Sequence, residues 1–114
     1  MKKDVLHTLP GDAHIQEAII DVATTVGATK AILFGSFGRG TQTRHSDIDL
    51  VLVKETSERF IERPRQILPL LYEKIQGRAI DVLVYTPSEF ERMSSSGNKF
   101  VRLILREGKT LYGN

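Results

Sequence analysis

Gly35-Ser36-Phe37-Gly38-Arg39-Gly40 stands between two short apolar runs, Ala31-Ile32-Leu33-Phe34 before it and Leu50-Val51-Leu52-Val53 after it. Ser46-Asp47-Ile48-Asp49 leads into the second run. Short apolar runs bounded by glycine and polar residues read as buried strands. A Gly/Ser turn therefore leaves one strand, and two aspartates open the next. That combination suggests a site for a phosphate chain and a divalent metal.

Successive side chains on a strand point to opposite faces, so Asp47 and Asp49 share one. At a spacing of roughly 6–7 Å along a strand, the two carboxylates repel unless something positive lies between them. Mg²⁺ is the natural candidate, because it takes oxygen ligands and uses one or two carboxylates plus substrate phosphates. The plain alternative is a pair of solvated charges at a strand entrance. The turn favours the metal. Gly35 can adopt backbone angles closed to other residues and lets a phosphate approach the main chain. Ser36 offers a hydroxyl and an N–H. Phe37 to Gly40 can form one helical turn facing an anion, and the Arg39 guanidinium suits phosphate oxygens. The stretch is not a Walker loop, since no Gly-Lys-Ser/Thr follows. Gly38-x-Gly40-x-x-Thr43 is a poor dinucleotide fingerprint, since the last glycine is missing.

Ala79-Ile80-Asp81-Val82-Leu83-Val84-Tyr85 reads as a third strand. Asp81 is a lone charge in an apolar run, costly there unless paired or metal-bound, or else it lies at an exposed edge. If this strand lies beside the Asp47/Asp49 strand, Asp81 completes a cluster.

On these residues the sequence resembles the polymerase-β-like nucleotidyltransferases: Gly35-Ser36, ten residues, then Asp47-Ile48-Asp49, with Asp81 later. More narrowly it is similar to the minimal nucleotidyltransferases, stand-alone domains often paired with a HEPN partner in toxin–antitoxin modules. Leu33-Phe34, Arg39-Gly40 and the C-terminal stretch Ile104 to Tyr112 share the likeness, which runs from about residue 12 onward.

The resemblance implies a small mixed sheet flanked by helices, with the metal site at one end. It implies Asp47, Asp49 and Asp81 as catalytic residues and ligands of two Mg²⁺ ions, and Gly35, Ser36 and Arg39 as binders of the triphosphate. Asp81 also helps to deprotonate an acceptor hydroxyl. ATP is the implied donor. The implied acceptor is a tyrosine of a HEPN-domain toxin, which makes this chain the antitoxin and a hetero-oligomer the expected assembly. Larger relatives carry a further domain that closes over base and acceptor, so an open active face is expected here. Two rival readings remain: a nucleotidyltransferase acting on a small molecule, and a module that neutralises its partner by contact alone.

The remaining sequence is consistent with this. The 114 residues make a single domain of ordinary size, 1–114, with 40% hydrophobic and 26% charged content. Without cysteine there is neither a disulfide nor a thiolate-bound metal. A formal charge of +2 gives no argument for nucleic acid, and none is expected as a direct partner. No run is long enough for a signal peptide or a membrane span, so the cytoplasm is the expected location.

Residues 1–11 read as a loose arm and Asp12 as a helix N-cap, followed by Ile15, Ala18, Ile19, Val22 and Val26 at helical spacing up to Gly27. His7 and His14 read as surface residues, and His45 as a solvated loop residue rather than a phosphate contact. Lys54 to Arg59 reads as a polar loop able to flank the nucleotide. Pro64 is placed to start a helix bearing Ile67, Leu68, Leu70, Leu71 and Ile75, which Pro69 disrupts or kinks unless the true start is later, with Gly77 ending it. Thr86-Pro87 opens a helix that stops at Ser94-Ser95-Ser96-Gly97, with Met93 in the core. Asn98 caps the last helix, whose apolar face is Phe100, Val101, Ile104 and Leu105. Lys99, Arg102 and Arg106 read as its solvated side. Thr110-Leu111-Tyr112 adds a short final strand. Alternating helices and strands give the α/β class.

Overall fold

A computed structural model describes residues 12–113. The elements are α1 (Asp12–Thr25), β1 (Lys30–Phe34), α2 (Gly35–Arg39), β2 (Ile48–Val53), a 3-10 helix (Phe60–Gln66), α3 (Leu68–Lys74), β3 (Ile80–Tyr85), α4 (Pro87–Ser95), α5 (Lys99–Glu107) and β4 (Lys109–Tyr112). The strands form one mixed sheet in the order β3-β2-β1-β4. β1 is antiparallel to β2 and to β4, whereas β2 and β3 are parallel. This is the α/β architecture expected from the sequence, a small mixed sheet covered by helices.

β2 explains its own composition. It lies inside the sheet with helices on both faces, so Leu50 to Val53 are buried whichever way they point. On one face α1 and α3 supply Ile15, Ile19, Val22 and Leu71, which pack on Leu33, Leu50 and Leu52. On the other, Phe90 of α4 and Val101 and Ile104 of α5 cover Ile32, Val51 and Val53. α1 reaches its face because its apolar residues recur at i, i+3 and i+4.

The caps read from sequence at α4 and α5 are present. The Thr86 hydroxyl accepts from the Glu89 N–H, and the Glu89 carboxylate accepts from the Thr86 N–H. Asn98 Oδ1 accepts from the Val101 N–H. Asp12 opens α1, and its carboxylate accepts from Gln42 Nε2 at 2.8 Å. His14 and His45 are exposed, as are Lys99, Arg102 and Arg106. Met93 is half-buried against the α4–α5 core.

Four expectations need correction. Pro64 does not start the helix; it lies inside the 3-10 segment, and Pro69, in the first turn of α3, does that work. Proline lacks the N–H that an α-helix interior needs but tolerates the first turn. α3 ends at Lys74 with Ile75 as its cap, two residues before Gly77. Leu105 is 54% exposed and faces away from the core, because Val101 and Ile104 already cover the sheet. The polar stretch Lys54 to Arg59 leaves β2 after Val53, the end opposite Asp49, so it cannot flank a nucleotide held at the aspartates. The arm proposed for residues 1–11, with His7, lies outside the described residues. No helix among the described residues is long and apolar enough to cross a membrane.

Candidate active site

The site begins where β1 ends. Phe34 pairs with Asp49 as the last rung of the β1–β2 ladder, and the chain turns at once into α2. Gly35 has φ of +64°, a left-handed value that a side chain rarely adopts. A Cβ there would also collide with Asp49 Oδ2. Glycine is therefore required twice over, for the turn and for the approach of the main chain to the carboxylate. Ser36 follows half-buried, and Arg39 is exposed at the end of the five-residue helix.

Asp49 and Asp81 are register partners across the parallel β2–β3 pair, so their side chains leave the same sheet face from adjacent strands, about 4.8 Å apart. The face is the one covered farther along by α4 and α5. Asp47 lies one residue before β2 begins, near enough for its charge to act on Asp49. The two sequence segments thus put Asp49 and Asp81 on adjacent strands, with Gly35 against Asp49.

Their electrostatics follow. The Asp49 carboxyl titrates above the usual carboxylate range, first because it is partly buried, then because Asp81 and Asp47 repel its charge; Arg39 opposes this. Asp47 and Asp81 are exposed. Asp81 does lie on an outer strand, so the cost of burying a charge is not what marks it; its register with Asp49 is.

Among the described residues, no three His, Asp or Glu side chains come close enough to hold an ion unaided. Mg²⁺ commonly takes only one or two protein carboxylates and completes its shell with water and substrate phosphates. Asp49 with its register partner Asp81, hard oxygen donors that repel each other, supplies carboxylates of the kind that ion takes. A cavity of about 170 Å³ lined by Lys54, Arg63 and Ile67 sits at the other end of the sheet and touches none of these residues.

One residue was not read from the sequence. Arg78, two residues before β3, donates from Nη1 to the carbonyls of Thr43 (3.2 Å) and Ser46 (2.9 Å). Its guanidinium lies over the Phe37 ring at 5.3 Å. A single arginine in a loop carries no periodic or motif signal, and its partners are set only by the β2–β3 pairing.

The nucleotidyltransferase domain profile matches residues 15–111. The chain is 34% identical over 83 residues to the "Putative protein adenylyltransferase MJ0604" of Methanocaldococcus jannaschii, covering 73% of this chain and 77% of that protein. Among solved structures, a toxin–antitoxin crystal structure with AMP-PNP superposes with a TM-score of 0.64 at 23% identity, over 87% of this chain and 73% of that one. A mutant of the toxin–antitoxin pair MntA-HpeT gives 0.63 at 21% identity, with the same coverage. These two share the fold. The profile spans the Gly35-Ser36 turn and all three aspartates, and with the 34% identical relative it shows that this chain belongs to the nucleotidyltransferase domain family.

Proposed function

We propose that this chain transfers AMP from ATP to a tyrosine hydroxyl of a HEPN-type toxin and thereby acts as its antitoxin in the cytoplasm. The observation that carries the reading is the register of Asp49 with Asp81, with Asp47 just before β2 and the Gly35-Ser36 turn against Asp49. Likeness to the M. jannaschii "Putative protein adenylyltransferase MJ0604" and to the fold of toxin–antitoxin proteins, one of them with AMP-PNP, supports the donor chemistry and the kind of partner.

In this reading Ser36, through its hydroxyl and N–H, and the Gly35 main chain hold the β- and γ-phosphates, with Arg39 at their edge. Asp47, Asp49 and Asp81 would hold two Mg²⁺ ions, which supply positive charge to the triphosphate when bound. Asp81, exposed to solvent, takes the proton from the acceptor hydroxyl. The acceptor oxygen forms a bond to the α-phosphorus, the α–β bridging bond breaks, and pyrophosphate departs with its electron pair in line with the attack. The open face beside β3 leaves room for an acceptor carried by another macromolecule.

The test is label transfer. Purified chain, Mg²⁺ and ATP labelled at the α-phosphate are incubated with a co-expressed HEPN-domain protein, beside an Asp47→Asn/Asp49→Asn control. Label on a tyrosine of that protein with the wild type alone supports the reading. Label appearing only on a small molecule moves the acceptor. Silencing of the partner that survives in the control, with no label transferred by either, leaves a contact module.

A further inference from the structure

Asp47 has no place in the strand ladder. β2 begins at Ile48, and the last β1–β2 rung is Phe34 with Asp49. What precedes Asp47 is a four-residue turn, Thr43 to Ser46, closed by the Ser46 N–H on the Thr43 carbonyl at 3.1 Å and the Thr43 N–H on Ser46 Oγ at 2.8 Å. Such a turn fixes its own shape but not its position relative to the sheet. The Gln42 side chain on Asp12 and the Ile48 N–H on Ala79 hold the chain on either side, and the turn itself is tied by the Arg78 side chain, whose Nη1 donates to both of its end carbonyls. The Ser46 carbonyl belongs to the peptide group that leads into Asp47.

The same guanidinium lies over Phe37, a buried residue of α2, one position after Ser36. Arg78 is itself three residues before Asp81, and the Ile48 N–H is held by the neighbouring Ala79 carbonyl at 2.9 Å. One side chain therefore touches the helix that carries Ser36, the turn that carries Asp47 and the approach to the strand that carries Asp81. Among the described residues it has no carboxylate within ion-pair distance, so its charge-assisted bonds go to these carbonyls. Phe37 packs into the α1–α3 core, on the face away from the carboxylates.

We propose that Arg78 is a positioning residue: it sets Asp47 relative to the Gly35-Ser36 turn and Asp81 without touching substrate. The proposal rests on the assignment of these residues to the reaction. It follows from geometry that removing Arg78 leaves all three carboxylates in the chain but loosens the turn on the N-terminal side of Asp47, while the Ile48 N–H on Ala79 still holds its C-terminal side. Misplacement of a ligand by about 1 Å costs on the order of a hundredfold in rate.

The experiment uses the full chain and Mn²⁺ as the ion. Mn²⁺ uptake with a non-hydrolysable ATP analogue is followed by electron paramagnetic resonance, and amide exchange is measured over residues 43–47. Label transfer supplies kcat and KM. Arg78→Gln is expected to speed exchange in the turn, weaken Mn²⁺ uptake about tenfold and lower kcat 10- to 100-fold, with KM for ATP changed less than threefold. Arg78→Lys, which keeps the charge over Phe37 and can donate to the carbonyls, is expected to recover most of the Mn²⁺ uptake. Arg78→Gln with wild-type exchange and Mn²⁺ uptake overturns the proposal. So does an Arg78→Lys protein that is as well folded as wild type yet no better than Arg78→Gln. A wild type that takes up no Mn²⁺ with nucleotide overturns the proposed function, and this proposal with it.

Discussion

Gly35 and Asp49 are packed so that the carboxylate of one occupies the space where a Cβ of the other would stand. The contact joins the end of β1 to the start of β2 at the point where the main chain reverses. Gly35→Ala is expected to lose activity by a hundredfold or more, because both the left-handed turn and the Asp49 carboxylate must shift. The fold should lose about 1–2 kcal/mol. Thermal unfolding and label transfer, run on the same preparation, separate the two effects.

The Asp49 carboxyl carries opposite consequences for stability and for function. Its raised value means that the charged form is disfavoured in the folded state. The folded protein therefore binds this proton more tightly than the unfolded chain does. Stability from this group is lost as pH rises from the unfolded value through the folded one. Asp49→Asn is expected to raise the melting temperature by ~2 °C at neutral pH, the small figure reflecting solvent screening of a partly exposed group. The same substitution should abolish transfer. Mg²⁺ with ATP should stabilise the wild type and leave Asp49→Asn unmoved.

Activity should fall on the acid side as Asp49 gains its proton, starting at a higher pH than an ordinary aspartate would dictate. A profile of log kcat/KM against pH checks this. Asp81→Asn should keep an acid limb of Mn²⁺ binding, moved to lower pH because the Asp81 charge helps to raise Asp49, while losing turnover. A limb that vanishes with Asp81 rather than Asp49 would reverse the assignment.

Arg63 and Glu89 form a second charged pair, remote from the aspartates. Arg63 is buried and donates to Glu89 through both Nη atoms (2.7 and 3.1 Å) and to the Val84 and Glu58 carbonyls. Its hydrogen bonds, then that of the Thr86 N–H, hold the Glu89 carboxyl down to about 2. This depressed value makes a contribution that is whole above the ordinary range near 4.5 and is lost as pH falls toward about 2. Arg63→Met is expected to cost about 2–3 kcal/mol in urea unfolding, since Glu89 keeps part of its hydration. Rates per folded molecule should be unchanged.

Much of the site was legible because its residues are local in the chain. Gly35, Ser36, Arg39, Asp47 and Asp49 fall within one strand–turn–strand unit, so sequence proximity alone puts the two aspartates near the turn, although Asp47 lies just outside β2. Asp81 was legible as a charge in an apolar run, but its partnership with Asp49 depends on parallel pairing across a crossover, which no local pattern encodes. Caps at Thr86 and Asn98 were readable for the same local reason. Leu105 and the Lys54 to Arg59 loop were misread because helical spacing and polarity do not say which end of a sheet or which neighbour is already filled. Arg78 left no trace, since its meaning lies wholly in what it touches.

Gly38 of α2 and Gly108 after α5 meet main chain to main chain. A Cβ on Gly38 would press on the Leu33 and Glu107 carbonyls and on Gly108, and one on Gly108 would press on the Ile104 and Leu33 carbonyls. The C-terminal helix junction is thus seated directly against α2, which carries Gly35 and Ser36. In a saturation screen for activity, Gly108 should therefore be as intolerant as positions beside the aspartates, though it lies far from them in the chain. Exposed α5 positions only a few residues earlier, such as Arg102, should accept nearly any side chain. The map of sensitive sites would then be drawn by backbone proximity, and a scan read along the sequence would show an isolated spike where the molecule has a foundation stone.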